Sequence, residues 1–157
     1  VKLLEYNNLE KLDNYLKNTP NVVSIMLEPI QGEGGIIIPD NGYLRKVREL
    51  CNKYNVLMIA DEVQTGLGRT GKMLACDYEK VKPDILCLGK ALSGGFYPIS
   101  ATLANEEIMS VLTPGTHGST FGGNPLACTI GIEALFLEKP VIITGSSFYF
   151  GTKEIEK

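Results

Sequence analysis

The chain has little of what marks several common classes of protein. Among its 157 residues there is one histidine, and the four cysteines form no C-x-x-C pair. Because zinc sites and disulfide frameworks need such clusters, we expect no metal ion and no disulfide, but reduced, mostly buried thiols in a reducing compartment. The cysteines are Cys51, Cys76, Cys87 and Cys128. No apolar run reaches the roughly 18 residues that a membrane-spanning helix requires.

A block of one charge is also missing. The net charge is −3 and Lys and Arg are not clustered, so neither a nucleic acid nor a membrane surface is indicated as a partner. The first residues, V-K-L-L-E, lack an initiator Met and resemble neither a signal peptide nor a transit peptide. We expect a piece of a longer protein of the cytoplasm or the mitochondrial matrix, with no targeting segment in this chain. A hydrophobic content of 44% is typical of a globular domain with a core.

Three apolar runs predict buried strands, and each ends at a side chain that can carry chemistry. The runs end at Glu28, Asp61 and Lys90. Apolar residues between Tyr43 and Tyr54 recur at helical spacing, so the first two runs form a strand–helix–strand unit with parallel strands. Ligands of such sheets bind beyond the carboxyl ends of the strands, so we predict that the three side chains project into one crevice. The runs cover residues 22–27, 56–60 and 85–88.

Capping residues and shorter apolar runs predict the remaining elements. Asn7, with Glu10 three positions later, is predicted to cap the first helix. Asn105 and Asn124 are predicted to cap two later helices, the second of which has a proline in its first turn. Further short strands are predicted at residues 36–38 and 99–103.

A glycine-rich stretch at residues 66–72, G-L-G-R-T-G-K, fits two phosphate-binding patterns incompletely. Met73 stands where a P-loop carries the Ser or Thr that holds Mg²⁺. A dinucleotide fingerprint needs a full helix after its third glycine, and the span before the next strand is short and contains Pro83. We interpret the stretch as a tight loop at the rim of the sheet, with a nucleotide-binding loop as the alternative.

The predicted crevice suits the chemistry of a pyridoxal cofactor. A carboxylate such as Asp61 beside a pyridine nitrogen stabilises the protonated ring, which is then a strong electron sink. The amine of Lys90 can hold the cofactor aldehyde as a Schiff base and carry protons. In the loop of residues 113–123, Ser119 and Thr120 can bind the 5′-phosphate with hydroxyl and backbone N–H groups.

Four motifs resemble the class III aminotransferases, pyridoxal-phosphate enzymes that act on ω-amino acids. They read E-P-I-Q-G-E-G-G, I-A-D-E-V-Q-T-G-L-G-R-T-G, L-G-K-A-L-S-G-G-F-Y-P-I-S-A and H-G-S-T-F-G-G-N-P-L-A. The resemblance implies an α/β fold of type I, with a mixed, mostly parallel sheet flanked by helices. Residues 1–135 would be the central part of an incomplete large, cofactor-binding domain, and residues 136–157 a divergent tail that does not match the family.

The resemblance also implies roles around the cofactor. Lys90 would be the Schiff-base lysine and general acid/base, and Asp61 the partner of the pyridinium nitrogen. Gln64 would donate a hydrogen bond to the phenolic oxygen of the ring. Ser119 and Thr120 would bind the phosphate of the neighbouring subunit's cofactor, because family members work as homodimers.

The implied substrates are an amino acid and a 2-oxo acid. The motifs G-Y-L, R-E-L-C and P-G-x-H-G-S-T are most similar to those of members that convert L-ornithine and 2-oxoglutarate to L-glutamate 5-semialdehyde and L-glutamate, a step towards proline. Glu28 would line the substrate site, and Glu33 would pair with a switching arginine. The alternatives are acetylornithine or 4-aminobutyrate as the substrate.

Several parts of the family's site are not in these 157 residues. They are the upstream phosphate turn, the aromatic residue that stacks on the ring, the substrate arginines and the small domain. We therefore expect this chain to be inactive by itself. A non-catalytic truncated product that retains at most cofactor or partner binding is the other reading.

Overall fold

The computed structural model describes residues 1–136, together with residues 143–144 and 147–148. Its main sheet consists of β1 (Ser24–Leu27), β2 (Leu57–Asp61), β3 (Ile85–Leu88) and β4 (Ala101–Ala104), which lie in the order β1-β2-β3-β4. The first three strands are parallel, and β4 pairs with β3 in the antiparallel direction. The predicted mixed, mostly parallel sheet is therefore confirmed.

Within residues 1–136, four α-helices accompany the sheet: α1 (Leu9–Asn18), α2 (Tyr43–Tyr54), α3 (Glu106–Met109) and α4 (Pro125–Phe136). Helix α2 connects β1 to β2, which gives the predicted strand–helix–strand unit. Two short 3-10 turns, Ala75–Tyr78 and Lys90–Ser93, stand before and after β3. Two short strands, β5 (Ile143–Thr144) and β6 (Ser147–Phe148), pair with each other, while the rest of the predicted tail lies outside the described residues.

The core lies between α1, α2 and one face of the sheet. The apolar stripe of α2 contributes Val47 and Cys51, and β2 contributes Met58 and Ala60; all four are fully buried. Alternation along β2 explains why Met58 and Ala60 share this face, since successive strand side chains point to opposite sides. Burial of each large apolar side chain stabilises the fold by about 1.5–3 kcal/mol.

Two of the three predicted helix caps are confirmed. Asn105 accepts a hydrogen bond from the Ile108 N–H (2.9 Å) and Asn124 from the Ala127 N–H (2.9 Å). The first cap was wrongly placed by one residue, because Asn8 accepts from the Lys11 N–H (3.0 Å). Asn7 instead has a positive φ of 60° and accepts from the backbone of Asp40.

The predicted strand at residues 36–38 is wrong. Ile37 makes only an isolated bridge with Gln31, through two backbone hydrogen bonds of 3.1 Å. These bonds close the glycine-rich loop on itself, so the apolar side chains of Ile36 and Ile38 remain exposed instead of joining the sheet. The last sheet strand begins at Ala101, two residues later than predicted, because pairing with β3 starts at Leu88.

The cysteines are free thiols in the structure. Cys51 and Cys76 are buried as expected, and Cys87 is half-buried, whereas Cys128 is exposed on α4, contrary to the expectation of mostly buried thiols. Burial raises the pKa of Cys51 from 9.0 to about 11. Across the part of the chain that the structure describes, every helix is too short or too polar to cross a membrane.

Candidate active site

The carboxyl ends of the three parallel strands meet at one edge of the sheet. Leu27 lies opposite Ala60, and Asp61 lies opposite Cys87. Glu28 therefore follows β1 beside the end of β2, and Lys90 comes three residues after the partner of Asp61. Because neighbouring strands are about 4.8 Å apart, the three strand ends lie side by side at one edge of the sheet, which we call the crevice edge; the projection of the three side chains into one crevice stays a prediction.

Lys90 occupies an unusual backbone position at this edge. Its φ is +42°, in the left-handed region that a lysine rarely adopts, and it begins the 3-10 turn that ends at Ser93. Ala91, Leu92 and Ser93 are buried, whereas Lys90 itself is exposed. The turn thus leaves the Lys90 side chain exposed to solvent, while the buried residues that follow it hold the backbone in place.

Helix α4 packs against the 3-10 turn that begins at Lys90. A Cβ atom added to Gly131 would lie 3.3 Å from Ile99 Cδ1 and 3.8 Å from the Leu92 carbonyl oxygen. The absence of a side chain at Gly131 therefore allows the helix to approach the backbone of the lysine turn closely.

Asp61 opens a tight turn at the end of β2. One oxygen of its carboxylate accepts a hydrogen bond from the Val63 N–H (3.1 Å). The Gly66 N–H donates to the Glu62 carbonyl (2.8 Å), which closes the turn. A Cβ atom on Gly66 would lie only 2.8 Å from that carbonyl oxygen, so the turn requires glycine there.

Gln64 lies in this turn and packs against the loop that follows β1. A Cβ atom on Gly32 would be 2.5 Å from Gln64 Nε2, so the amide occupies the space that only a glycine leaves open. Gln64 Nε2 also lies 3.4 Å from Glu33 Oε1, at the long limit of a hydrogen bond. Glu28 accepts from the Gly32 N–H (3.0 Å) and so holds the same loop. The structure thus brings Glu28, Glu33 and Gln64 together.

Tyr6 fixes the end of β1 from the interior. Its hydroxyl donates to the carbonyl oxygens of Glu28 (3.0 Å) and Pro29 (2.9 Å), and its ring meets that of Tyr43 edge-on, with centroids 5.3 Å apart. Burial raises the pKa of the Tyr6 hydroxyl, so this donor stays protonated over the physiological range. Tyr6 is not among the predicted site residues, because nothing local in the sequence connects it to a loop more than 20 residues away.

Ser119 and Thr120 form no hydrogen bond with the residues of the crevice edge in the described part of the chain. They lie in the loop of residues 113–123, which is exposed throughout. Its hydrogen bonds within the described residues are local, such as the bond from the Gly122 N–H to Ser119 Oγ (2.9 Å). Among the described residues, neither hydroxyl group forms a hydrogen bond with Lys90 of the same chain.

A buried acid beside Asp61, Glu62, is not among the predicted site residues. Glu62 is 1% exposed, and its carboxylate accepts hydrogen bonds from the Ala75 N–H (3.0 Å), the Cys76 N–H (2.8 Å) and the Thr65 hydroxyl. Burial and the adjacent Glu62 carboxylate raise the pKa of the Cys76 thiol. Strand alternation was the available signal, since Glu62 shares the parity of the buried residues Met58 and Ala60.

The glycine-rich stretch at residues 66–72 is a tight loop, as interpreted from the sequence. The Leu67 N–H donates to the Met73 carbonyl (2.6 Å) and the Gly68 N–H to the Lys72 carbonyl (3.2 Å). A 3-10 turn of four residues, Ala75–Tyr78, follows instead of the long helix that a nucleotide fingerprint needs. The geometry gives no support to the nucleotide-binding alternative.

Comparison with known proteins identifies the family of the chain. The family model for Aminotransferase class-III matches residues 3–143. The chain therefore belongs to the class III aminotransferase family, which confirms the resemblance seen in the motifs. The predicted division at residue 135 stays a prediction.

The similar proteins of known sequence include ornithine aminotransferases. The chain is 58% identical over 150 residues to the mitochondrial ornithine aminotransferase of Drosophila melanogaster, covering 96% of this chain and 35% of that protein. It is 60% identical over 132 residues to the mitochondrial enzyme of Rattus norvegicus, covering 84% of this chain and 30% of that protein. The chain thus spans about a third of the length of these relatives.

Solved structures show the same fold. The ornithine aminotransferase of Toxoplasma gondii, whose active site has partial occupancy of pyridoxal phosphate, matches with a TM-score of 0.84 and 56% identity, over 86% of this chain and 32% of that one. An acetylornithine aminotransferase from Elizabethkingia anophelis matches with a TM-score of 0.82 and 57% identity, over 84% of this chain and 33% of that one.

Proposed function

We propose that the chain is the central part of the cofactor-binding domain of a pyridoxal-phosphate-dependent aminotransferase. The complete protein would transfer the δ-amino group of L-ornithine to 2-oxoglutarate, giving L-glutamate 5-semialdehyde and L-glutamate. The observation that carries the proposal is the pairing of β2 with β3, which places Asp61 and Lys90 on adjacent strand ends with Gln64 in the turn beside them. An acid, an amine and an amide donor at one crevice edge are the groups that this cofactor needs.

The three side chains fit the cofactor by their chemistry. Pyridoxal phosphate, when bound, supplies a protonated pyridine ring that withdraws electrons from the substrate. The Asp61 carboxylate would hold the proton on the pyridine nitrogen, because an opposite charge stabilises the cation. Lys90 Nζ would hold the cofactor at its aldehyde carbon and, once the amine of the substrate has displaced it there, the freed amine would move the proton at the substrate carbon. Gln64 Nε2 would donate to the phenolic oxygen.

Substrate recognition would involve the loop after β1. Glu33 is exposed and its carboxylate lies next to Gln64, so it faces the same side of the sheet edge as the cofactor groups. We assign to Glu33 the pairing with a switching arginine. While the arginine is held by Glu33 the site would admit a δ-amine, and once it is released it would bind the carboxylate of 2-oxoglutarate. Glu28 would line the site, and its bond to the Gly32 N–H would keep the loop in place.

The phosphate-binding loop would act across a homodimer. Ser119 and Thr120 are exposed, and Phe121 beside them is 79% exposed. An exposed aromatic residue in a polar loop is typical of an interface. The loop would therefore bind the phosphate of the partner subunit's cofactor.

The test is reductive trapping of the cofactor on the chain. The purified chain is mixed with pyridoxal phosphate, treated with borohydride and digested, and the modified lysine is found by mass spectrometry. We expect the pyridoxyl group on Lys90 and its loss in Lys90→Ala, while Lys72→Ala and Lys82→Ala serve as matched controls. Labelling of Lys72 or Lys82 in preference to Lys90 would contradict the assignment.

The acetylornithine enzyme of similar identity supports a second candidate substrate, N-acetylornithine. The rates of the complete protein with ornithine, N-acetylornithine and 4-aminobutyrate, each with 2-oxoglutarate, separate the possibilities. A non-catalytic role is supported by the exposure of Lys90 in this chain. It predicts that the 157 residues alone bind the cofactor at Lys90 without steady release of glutamate.

A further inference from the structure

We propose that Glu62 is a positioning residue that holds Asp61 and Gln64 in place from the interior of the protein. The inference rests on the proposed function for what these two residues do. The positioning itself is a statement about the turn after β2, and it can be tested without cofactor.

The carboxylate of Glu62 connects two separate backbone segments. One oxygen, Oε1, accepts from the Cys76 N–H (2.8 Å). The other, Oε2, accepts from the Ala75 N–H (3.0 Å) and from the Thr65 hydroxyl. The turn after β2 is thereby fastened to the start of the 3-10 turn Ala75–Tyr78, more than ten residues further along the chain.

Glu62 directly follows β2 and continues the alternation of its side chains, since it is buried like Met58 and Ala60, and this explains why it acts on Asp61. Adjacent residues of a strand point to opposite faces, so the buried side chain of Glu62 directs that of Asp61 towards the crevice edge. The backbone of the same residue closes the turn, because its carbonyl accepts from the Gly66 N–H (2.8 Å). Gln64 lies within that closed turn. Both candidate cofactor contacts therefore depend on a residue that does not face the crevice.

Among residues 1–136, the Glu62 carboxylate contacts three hydrogen-bond donors and no basic group. The ion pairs in this part of the chain involve Lys11, Arg48 and Lys53, and none of them includes Glu62. A buried acid without a cation is costly unless hydrogen bonds satisfy it. An ionised carboxylate only accepts, so it suits three donors, whereas an amide would direct its own N–H groups against one of them. Glu62→Gln keeps the shape of the side chain and should break part of this network.

The first experiment measures amide hydrogen exchange in the 157-residue chain by NMR without cofactor. In Glu62→Gln we expect about tenfold faster exchange at Ala75 and Cys76, since their acceptor is impaired. We also expect about threefold to fivefold faster exchange at Val63 and Gly66, whose bonds fix the turn. A purely local role would change Ala75 and Cys76 only, and that result would overturn the proposal.

Milder variants keep the test decisive if Glu62→Gln does not fold. Thr65→Val removes one donor to Glu62 and leaves the Glu62 side chain itself unaltered, and we expect a change of the same direction and about twofold to threefold at Val63 and Gly66. Thr65→Ser retains the hydroxyl and should restore the wild-type exchange rates. Asp77→Ala removes the acceptor of the Leu74 N–H in the same segment, and it should leave Val63 and Gly66 unchanged. Equal effects of Asp77→Ala and Thr65→Val on the turn would overturn the proposal.

The second experiment adds pyridoxal phosphate and follows the visible absorbance of the Lys90 adduct. We expect Thr65→Val and Glu62→Gln to weaken cofactor affinity by about threefold and tenfold, and Thr65→Ser and Asp77→Ala to leave it unchanged. If the wild-type chain forms no Lys90 adduct, the proposed function fails, and the exchange rates at Val63 and Gly66 still decide the positioning role. Wild-type affinity in Glu62→Gln would overturn that role.

Discussion

The close approach of Gln64 to Gly32 makes Gly32→Ala an informative substitution. The added Cβ would lie 2.5 Å from Gln64 Nε2 and 2.7 Å from Gln64 Cδ, well inside contact distance. The backbone of Gly32 has no positive φ, so alanine can adopt its conformation. The end of the Gln64 side chain is flexible and would move aside. The substitution should therefore displace a candidate cofactor contact without damaging the fold.

The size of the effect follows from the bond that would be lost. A single hydrogen bond contributes about 0.5–1.5 kcal/mol net, which corresponds to about 2-fold to 13-fold weaker cofactor binding. Replacing glycine by alanine at a compatible position raises the free energy of unfolding by about 0.4–1 kcal/mol, because it restricts the unfolded chain. We thus expect weaker binding in a variant of equal or higher stability.

Gly34→Ala is the matched control. A Cβ atom on Gly34 meets nothing within 4 Å, and its φ is not in the left-handed region. Both variants therefore change the unfolded chain in the same way, and only Gly32→Ala moves Gln64.

The assay is a titration with pyridoxal phosphate, read by absorbance, with urea unfolding measured in parallel. In a Gln64→Ala background, Gly32→Ala should have no further effect on affinity, because the displaced group is already absent. Equal affinities of Gly32→Ala and Gly34→Ala would refute the reasoning. So would an effect of Gly32→Ala that persists without Gln64.

Two further predictions follow from the acid at the end of β2 and from the buried thiol of α2. In a complete protein, Asp61→Asn should retain the Lys90 adduct but lower turnover by about a hundredfold to a thousandfold. Loss of the carboxylate would lower the pKa of the ring nitrogen by about two to three units, which corresponds to about 2.7–4 kcal/mol. Near-normal turnover would show that Asp61 is not the partner. The pKa of Cys51 rises on folding from 9.0 to about 11, so between these values only the unfolded state loses the proton and the free energy of unfolding should fall as the pH rises. Urea unfolding from pH 8 to 11 should show a shallower decline in Cys51→Ala, and identical slopes would contradict this cause.

The fold was predictable where the local pattern and the tertiary packing agree. The bounds of β3 match the predicted run because four apolar residues stand between turn signals, and α2 follows its apolar stripe. Strand β1 begins at Ser24, two residues after the start of the predicted run, because its pairing with β2 starts at Leu57. Apolar character alone does not show which residues find a partner strand, and this also explains the error at residues 36–38.

The candidate site was predictable in its strand ends but not in its supports. Asp61 and Lys90 follow apolar runs, so the ligand-binding edge of an α/β sheet could be inferred. The positive φ of Lys90 has no signature in the sequence, since the left-handed region favours glycine. The contact of Gln64 with Gly32 joins residues 32 positions apart, and such contacts depend on a tertiary arrangement that one sequence does not display.

The buried polar residues indicate how the side chains of an exposed site can still be held in a fixed geometry. In the stretch from residue 1 to residue 136, the buried polar or charged side chains are Glu62, Thr65 and Ser93, and all three lie in the two turns that follow β2 and β3. Ser93 accepts from the Tyr97 N–H (3.1 Å) and so closes the segment after Lys90, as Glu62 and Thr65 fix the segment after Asp61. Buried polar groups are costly and tend to be retained where they fix geometry. A displacement of about 1 Å can reduce a rate a hundredfold. Buried hydrogen bonds in these two turns would therefore hold Asp61 and Lys90 at a fixed distance from each other while both side chains remain accessible to ligands.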